Sequence, residues 1–418
     1  MAVWVNSTLG AASDKVGGII QTGPFGSQLH QSDYSDEGVP VVMPKDIVAG
    51  QINPNTVARV SQEHVNRLSR HKLAVGDIVF ARRGDLGRQA LIKPNQNGWL
   101  CGTGCLRISL GETLVYPSFL HYYLQQNEIV GWITNQAVGA TMPNLNTAIL
   151  RKLPIRYPPL PIQKRIADIL SAYDDLIENN QKRIQILEEM ARALYREWFV
   201  HFRYPGHENI PLVPSPLGDI PRGWEVRTFT DIADVLSGGT PKRNIPEYWD
   251  GDIPFFTPRD APASFFVELT EKYISELGLP KCASKLYPPN TIFITARGTV
   301  GKLALTAKPM AMNQSCYALQ GKIGIPQFFL FLLTLNQVAY LKTNTGGATF
   351  DTIIVDTFRR MSIIKPPDKI IAEFTRVITA IFEQIKISQQ KIQNLRQTRD
   401  LLLPRLLSGQ LDVEKLPS

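Results

Sequence analysis

Residues 161–199 read PIQKRIADILSAYDDLIENNQKRIQILEEMARALYREWF. Ile162, Ile166, Ile169, Tyr173 and Leu176 recur at alternating spacings of four and three. Ile184, Leu187, Ala191 and Leu194 resume the pattern after Asn180, Gln181 and Lys182 interrupt it. That period lays apolar side chains along one stripe of an α-helix. Pro158, Pro159 and Pro161 mark the start, because proline suits the first helical turn and disfavours helix in the residue before it. Pro205 and Gly206 lie just past the end. At about 1.5 Å per residue the stretch makes a rod of roughly 58 Å. A solitary rod leaves its stripe in water, so another element has to cover it.

The chain supplies a second copy. Over residues 368–408, Ile370, Phe374, Ile378, Ile381, Ile385, Ile392, Leu395 and Leu402 form a similar stripe. Ile184 and Leu187 fall on Ile392 and Leu395 at an offset of 208, as does Pro158-Pro159 on Pro366-Pro367. The segments before the helices repeat as well. Pro44-Lys45-Asp46 matches Pro258-Arg259-Asp260, and Arg83-Gly84-x-x-Gly87 matches Arg297-Gly298-x-x-Gly301, both at 214. Pro117-Ser-Phe119 matches Pro326-Gln-Phe328, and Gly139-Ala-Thr141 matches Gly347-Ala-Thr349. Matches in one order at nearly one offset identify a duplication. The predicted class is α+β: two similar globular domains separated by two long antiparallel helices and related by a pseudo-twofold axis. The expected divisions are a mixed domain over 1–157, a long helix over 158–200, a linker over 201–222 with five prolines and two glycines, a second mixed domain over 223–367, a second helix over 368–408 and a tail over 409–418. Pro404 is expected to kink or end the second helix early.

A length of 418 residues suggests two or three domains. A mean hydropathy of −0.09 and 44% hydrophobic residues fit a soluble globular chain. No targeting pattern opens the sequence, and the longest apolar run, over 328–333, is too short for a bilayer, so a cytoplasmic location is expected. Cys101, Cys105, Cys282 and Cys316 lack the spacing of a metal or disulfide framework. A net charge of +8 and a pI near 9.2 favour a polyanionic partner.

The repeated basic turns are the candidate contacts to such a partner. Arginine can donate two hydrogen bonds to guanine, and asparagine can bond adenine bidentately. Lysine and arginine also hold phosphates without reading sequence. Lys45, Arg82, Arg83 and Arg88 are the first domain's cations; Lys242, Arg243, Arg259, Arg297 and Lys302 are the second's. Thr141, Asn144 and Asn146, with Thr349 and Thr352, add polar groups. The same residues also fit a bland reading: Pro-Lys/Arg-Asp as a turn with a local ion pair, and Arg-Gly as a tight hairpin. Two similar domains on a stiff rod would read two sites at a set separation, on the scale of the roughly 34–36 Å between half-sites on B-DNA. Because the domains differ, the target should be bipartite and not palindromic.

Pro159-Leu-Pro-Ile-Gln-Lys-Arg-Ile-Ala-Asp-Ile-Leu170, Leu194-Tyr-Arg-Glu-Trp-Phe199, Leu217-Gly-Asp-Ile-Pro-Arg-Gly-Trp224 and Leu403-Pro-Arg-Leu-Leu-Ser-Gly-Gln-Leu411 together resemble the specificity subunit of type I restriction–modification enzymes. The resemblance spans essentially the whole chain. It implies target-recognition domains that each read half of a split DNA site, and an antiparallel helix pair that spaces them and docks methyltransferase subunits, two being expected. It also implies adenine methylation with S-adenosylmethionine carried by those partners, and cleavage by a restriction subunit. Two departures stand out. The N-terminus reads Trp4-Val-Asn-Ser-Thr without the Leu-Gly-Asp-x-Pro-x-Gly-Trp segment, and the second helix opens Asp368-Lys-Ile-Ile where the first has Leu160-Pro-Ile-Gln.

An enzyme finds little support in these residues. Tyr157-Pro-Pro-Leu lacks the asparagine of an amino-methylation motif, and Gly298-Thr-Val-Gly-Lys302 is too short for a phosphate loop. His201 and His207 flank the expected linker without triad or metal partners. A DNA-binding or coiled-coil adaptor outside any restriction system is the alternative to a recognition scaffold.

Overall fold

Two helices of equal length, Leu160–Phe199 and Asp368–Leu407, carry the architecture. They start in the same way: the Pro159 carbonyl accepts the amides of Ile162 and Gln163 at 3.0 and 3.1 Å, and the Pro367 carbonyl those of Ile370 and Ile371 at 2.9 and 3.2 Å. The computed structural model describes residues 3–137, 144–344 and 352–415. Pro404 does not end the second helix early. It sits in the last turn, where few downstream amides depend on it, and its own carbonyl accepts the Ser408 amide at 3.0 Å.

The chain divides into two units, Met1–Leu176 with Asn394–Ser418, and Ile177–Gln393. Each long helix thus contributes one segment to each unit. In the first unit, Arg165 donates to the Val413 carbonyl at 2.9 Å, and Asp174, further along the first helix, forms an ion pair with Arg399, further back along the second. In the second unit, Phe199 packs edge-on against Phe374, with ring centroids 4.7 Å apart, while Glu188 and Gln389 bond the same serine, Ser264. Both units therefore hold the helix segments antiparallel.

The buried stripe of the first helix keeps Ile166, Ile184 and Ala191 of the expected one but otherwise shifts. Gln163, Leu170, Ile177, Glu188, Tyr195 and Phe199 are buried, and Leu176 is 49% exposed. The expectation assumed cover by one partner helix. Each unit also packs its globular domain on the helix, which rotates the buried face and admits polar residues. Gln163 shows how: its amide accepts from the Tyr116 amide at 2.7 Å and donates to the Leu114 and Pro158 carbonyls at 3.0 and 2.7 Å.

Within the first unit, the strands Ile19–Thr22, Cys105–Ser109, Ile78–Ala81 and Gln89–Leu91 form an antiparallel sheet in that order. A second sheet pairs Val39–Val42 in parallel with Leu100–Cys101. The second unit repeats this scheme. Ala233–Ser237, Cys316–Gly321, Ile292–Thr295 and Leu303–Thr306 correspond to the first sheet, and Trp249–Phe256 pairs in parallel with Ala311–Met312. It adds one edge strand, Phe266–Val267, parallel to Leu303–Thr306.

The duplication also reaches the N-terminus. Val5–Thr8 pairs antiparallel with Pro154–Tyr157 over four positions, as Glu225–Thr228 does with Ser362–Lys365. The Leu9 amide then donates to the Leu153 carbonyl at 2.9 Å, and the Phe229 amide to Met361 at 2.8 Å. Trp4 accordingly takes the place of Trp224. The expected linker is packed, not extended. Tyr204 and Ile220 are buried, Leu212–Val213 pairs with Ile220–Pro221, and Tyr204 lies 5.4 Å from Trp224 between ring centroids. The prolines set turns there, while aromatic rings supply the packing.

His121 is buried in the first unit. Its Nδ1–H donates to Gln89 Oε1 at 2.9 Å, and its Nε2 accepts from Gln125 at 2.9 Å. Burial is the main reason its pKa falls to about 4, and the Lys93 and Arg399 charges push the same way. Between pH 6.5 and 4 the unfolded chain takes up a proton that the folded chain refuses, so stability is lost as pH falls through that window and no further below it. On urea denaturation at pH 7 and pH 4.5, wild type should lose more stability than His121→Gln. The gap should be on the order of 2–3 kcal/mol. An equal loss in both chains would count against a neutral His121.

Candidate nucleic-acid interface

The basic turns occupy equivalent places in the two units. After Ile78–Ala81, the Arg82 amide donates to Gly104 at 2.8 Å and the Arg82 carbonyl accepts from Leu145 at 2.9 Å. After Ile292–Thr295, Ala296 makes the same two bonds, to Ser315 at 2.8 Å and from Ile353 at 3.0 Å. Arg83 therefore falls on Arg297. Both are exposed, and each precedes a glycine in the left-handed region, Gly84 at φ 80° and Gly298 at φ 79°. The chain turns sharply there and carries the arginine at its crest.

Neighbouring candidates take other roles. Arg82 is half-buried, and its Nε donates to Asn144 Oδ1 at 3.0 Å, so Asn144 orients a cation instead of offering a free amide. Arg88 is exposed but paired with Asp85 at 3.3 Å. Lys302 is exposed, its amide held by Thr295 Oγ1 at 2.9 Å. Asn146 caps the helix Thr147–Lys152 by accepting from the Ile149 amide at 2.9 Å. Thr352 is exposed beside Ile353, while Thr141 and Thr349 lie outside the described residues.

The Pro-x-Asp turns are single turns of 3₁₀ helix, Pro44–Asp46 and Pro258–Asp260. Asp46 accepts from the Met43 amide at 2.9 Å, and Asp260 from the Thr257 amide and hydroxyl at 2.8 and 2.7 Å. Each aspartate thus caps backbone donors instead of neutralising the cation before it. Lys45 and Arg259 are left exposed. Among the described residues, no ion pair engages Lys45, Arg83, Arg259 or Arg297.

Close backbone crossings join these turns. A Cβ on Gly23 would stand 2.1 Å from the Gly102 oxygen, and one on Gly238 2.1 Å from the Asn313 oxygen. In the first unit, Gly23, Phe25, Pro44, Arg82, Arg83 and Thr103 line an open cavity of about 570 Å³. Phe25 and Thr103 carry no charge, so a pattern of cations in the sequence does not point to them. Cys105 closes the floor; burial holds its thiol well above the ordinary range. In the second unit, Lys242 and Arg243 are exposed on the loop after Gly238-Gly239, which the Trp249 indole ties down through the Lys242 carbonyl at 3.1 Å.

The family model described as "Type I restriction modification DNA specificity domain" matches residues 19–189 and 221–397, most of the chain in two copies. The chain belongs to this family. This specificity subunit is 28% identical over 397 residues to the type I restriction enzyme MjaIX specificity subunit of Methanocaldococcus jannaschii, covering 92% of this chain and 89% of that one. It is 25% identical over 397 residues to the HindI specificity subunit of Haemophilus influenzae, covering 80% and 86%. Its fold is shared with the crystal structure of a type I restriction–modification S subunit from M. genitalium, with a TM-score of 0.59 at 16% identity over 97% and 96% of the two chains. Each matched span takes in one mixed domain and most of the long helix after it, so the specificity subunit has two recognition domains. Among its described residues, no helix is long and apolar enough to cross a membrane.

The two kinds of glycine should respond differently to alanine. Gly298→Ala meets open space and only the left-handed backbone, at a cost of about 1–2 kcal/mol. Gly238→Ala drives a methyl into a backbone oxygen and should cost more than about 3 kcal/mol. Urea midpoints of the two variants would show the contrast, and equal midpoints would contradict the crossing geometry.

Proposed function

We propose that this specificity subunit reads a split, asymmetric site on double-stranded DNA, one half with each recognition domain, and performs no bond-making chemistry itself. One observation carries the reading. Lys45 and Arg259, and Arg83 and Arg297, stand exposed and without described ion-pair partners at equivalent crests of two unlike domains. The backbone holds each crest, so the cation stays available to a ligand. Lys242 and Arg243 extend the basic surface of the second domain; Arg82, set by Asn144, extends that of the first. An arginine on a fixed turn suits the two acceptors of guanine, and lysine suits phosphate.

In this reading two methyltransferase subunits dock on the helices, bring S-adenosylmethionine and methylate adenine. Restriction subunits join them to cleave unmodified DNA, and the assembly works in the cytoplasm. The chain's own residues bind and orient the duplex.

Affinity of the purified chain for duplex DNA should fall steeply with salt, as release of counterions from phosphates requires. A flat salt response would remove the phosphate contacts. Arg297→Ala should cost roughly 1–3 kcal/mol of discrimination in one half of the target only. Replacing residues 201–367 by a relative's domain should change that same half, as read by mapping methylated adenines in cells carrying the assembled system. A change in both halves would rule out independent reading.

A further inference from the structure

Glu188 has no part in the contacts proposed above, yet it is one of the most heavily engaged side chains of the second unit. It lies on the first long helix and is 4% exposed. One carboxylate oxygen accepts from the Ser264 hydroxyl at 2.6 Å and from the Phe265 amide at 2.8 Å; the other faces Arg192 at 3.1 Å. Gln389 of the second long helix donates to the same Ser264 oxygen at 3.0 Å and to the Phe266 carbonyl at 3.3 Å. Phe265 packs against the Arg192 guanidinium, 4.7 Å from its ring centroid, and against Phe382, stacked at 5.3 Å. Both helices thus grip one short segment of the recognition domain.

That segment follows directly from the Arg259 turn. Residues 261–263 alone separate Asp260 from Ser264. The turn is also held by Asp260, whose carboxylate accepts from the Thr257 amide and hydroxyl and, at 2.7 Å, from the Glu271 amide. Residues 260–263 lie between Ser264 and Arg259, and the strand Trp249–Phe256, paired on both sides, anchors the other end of the turn, so a displacement of Ser264 reaches Arg259 from one end only. In the first unit, the position matching Ser264 at the same offset of 214 is Gly50. It has no hydroxyl, and its nearest neighbours are the Gln125 and His121 side chains, at 3.3 and 3.4 Å from where a Cβ would be. There the turn is backed by its own domain, not by a carboxylate from a long helix.

We infer that Glu188 is a positioning residue for target reading by the second recognition domain. Through Ser264 and Phe265 it sets where Arg259 stands, and it has no such control over Lys45. The inference rests on the split-site reading and adds that the second half's specificity is set in part from the helix. A buried carboxylate with two donors and an arginine holds its geometry more tightly than an apolar contact, because lateral movement leaves charge unpaired.

The test uses the full chain and a pool of random duplexes, from which bound sequences are selected and the consensus read. Wild type should yield a split consensus. Glu188→Gln keeps an acceptor for Ser264 and Phe265 but loses the charge facing Arg192. Ser264→Ala keeps the carboxylate and removes the shared hydroxyl. Each should lower discrimination in the half read by the second domain about tenfold, the scale of one well-placed base contact. The other half should stay within error of wild type, whatever stability the lost contact costs. An unchanged consensus in both variants would overturn the inference. So would equal loss in both halves with a lowered melting temperature, which marks a structural role alone. A wild-type chain that selects no split consensus would overturn the underlying reading instead, independently of the variants.

Discussion

A helix of 40 residues with an apolar stripe leaves that stripe in water unless other elements cover it, and the first unit here does not complete its core from contiguous sequence. The core of the first unit joins Ile166, Ala167 and Leu170 to Leu406, Leu407 and Val413. The bond from Arg165 to Val413 closes a separation of 248 residues, and the Asp174–Arg399 pair one of 225. Closing such loops costs entropy that grows slowly with length but is lost before any contact is gained. The first unit is therefore complete only when the second helix arrives, and because each helix serves both units, damage to either helix is felt in both.

Apolar stripes bury area without fixing how far one helix slides along another. Polar groups inside the stripes do that. Asp174 accepts from the Tyr122 hydroxyl at 2.7 Å while paired with Arg399, so one carboxylate ties both helices to the first domain. Glu188 and Gln389 do the equivalent around Ser264 in the second unit. A slip of one turn would strand these groups without partners, at a cost of roughly 1–3 kcal/mol each. The stripe's departure from the expected pattern is the trace of this demand, since polar residues were discounted where they are needed.

The sequence carried the duplication clearly, because it lies in residues whose backbone roles cannot be exchanged. Prolines that open helices, aspartates that cap 3₁₀ turns and glycines at crossings recur in order. What escaped notice were features fixed by packing between distant segments. The equivalence of Trp4 and Trp224 is visible only once their strands pair, and the aromatic packing of the expected linker depends on Trp224 and Phe199 being neighbours, 5.9 Å apart. Among the site candidates, charge and turn chemistry pointed to the crests at Arg83 and Arg297. They could not separate these from Arg88, whose partner Asp85 lies three residues away, or from Asn146, already used as a helix cap.

The pattern of agreement and divergence between the two domains is itself an argument about use. Where the frame is made, the units match almost bond for bond: Leu9 to Leu153 and Phe229 to Met361, Leu145 to Arg82 and Ile353 to Ala296. Arg83 matches Arg297, but around these crests other side chains differ while the backbone does not. Arg82 with its Asn144 brace stands where the second unit has Ala296 and Thr352, and Lys45 stands where it has Arg259. A purely structural duplication tolerates such variation without requiring it, since exposed substitutions cost little stability. Two readers of different sequence require it: the frame must present side chains at fixed places, and the side chains must differ for the halves of the target to differ. The attachments behind the crests diverge as well, glycine against a histidine and a glutamine in one unit, serine against a helix carboxylate in the other. Domains with a common frame therefore need not respond alike to a change in the helices, because the force reaching each crest passes through different atoms.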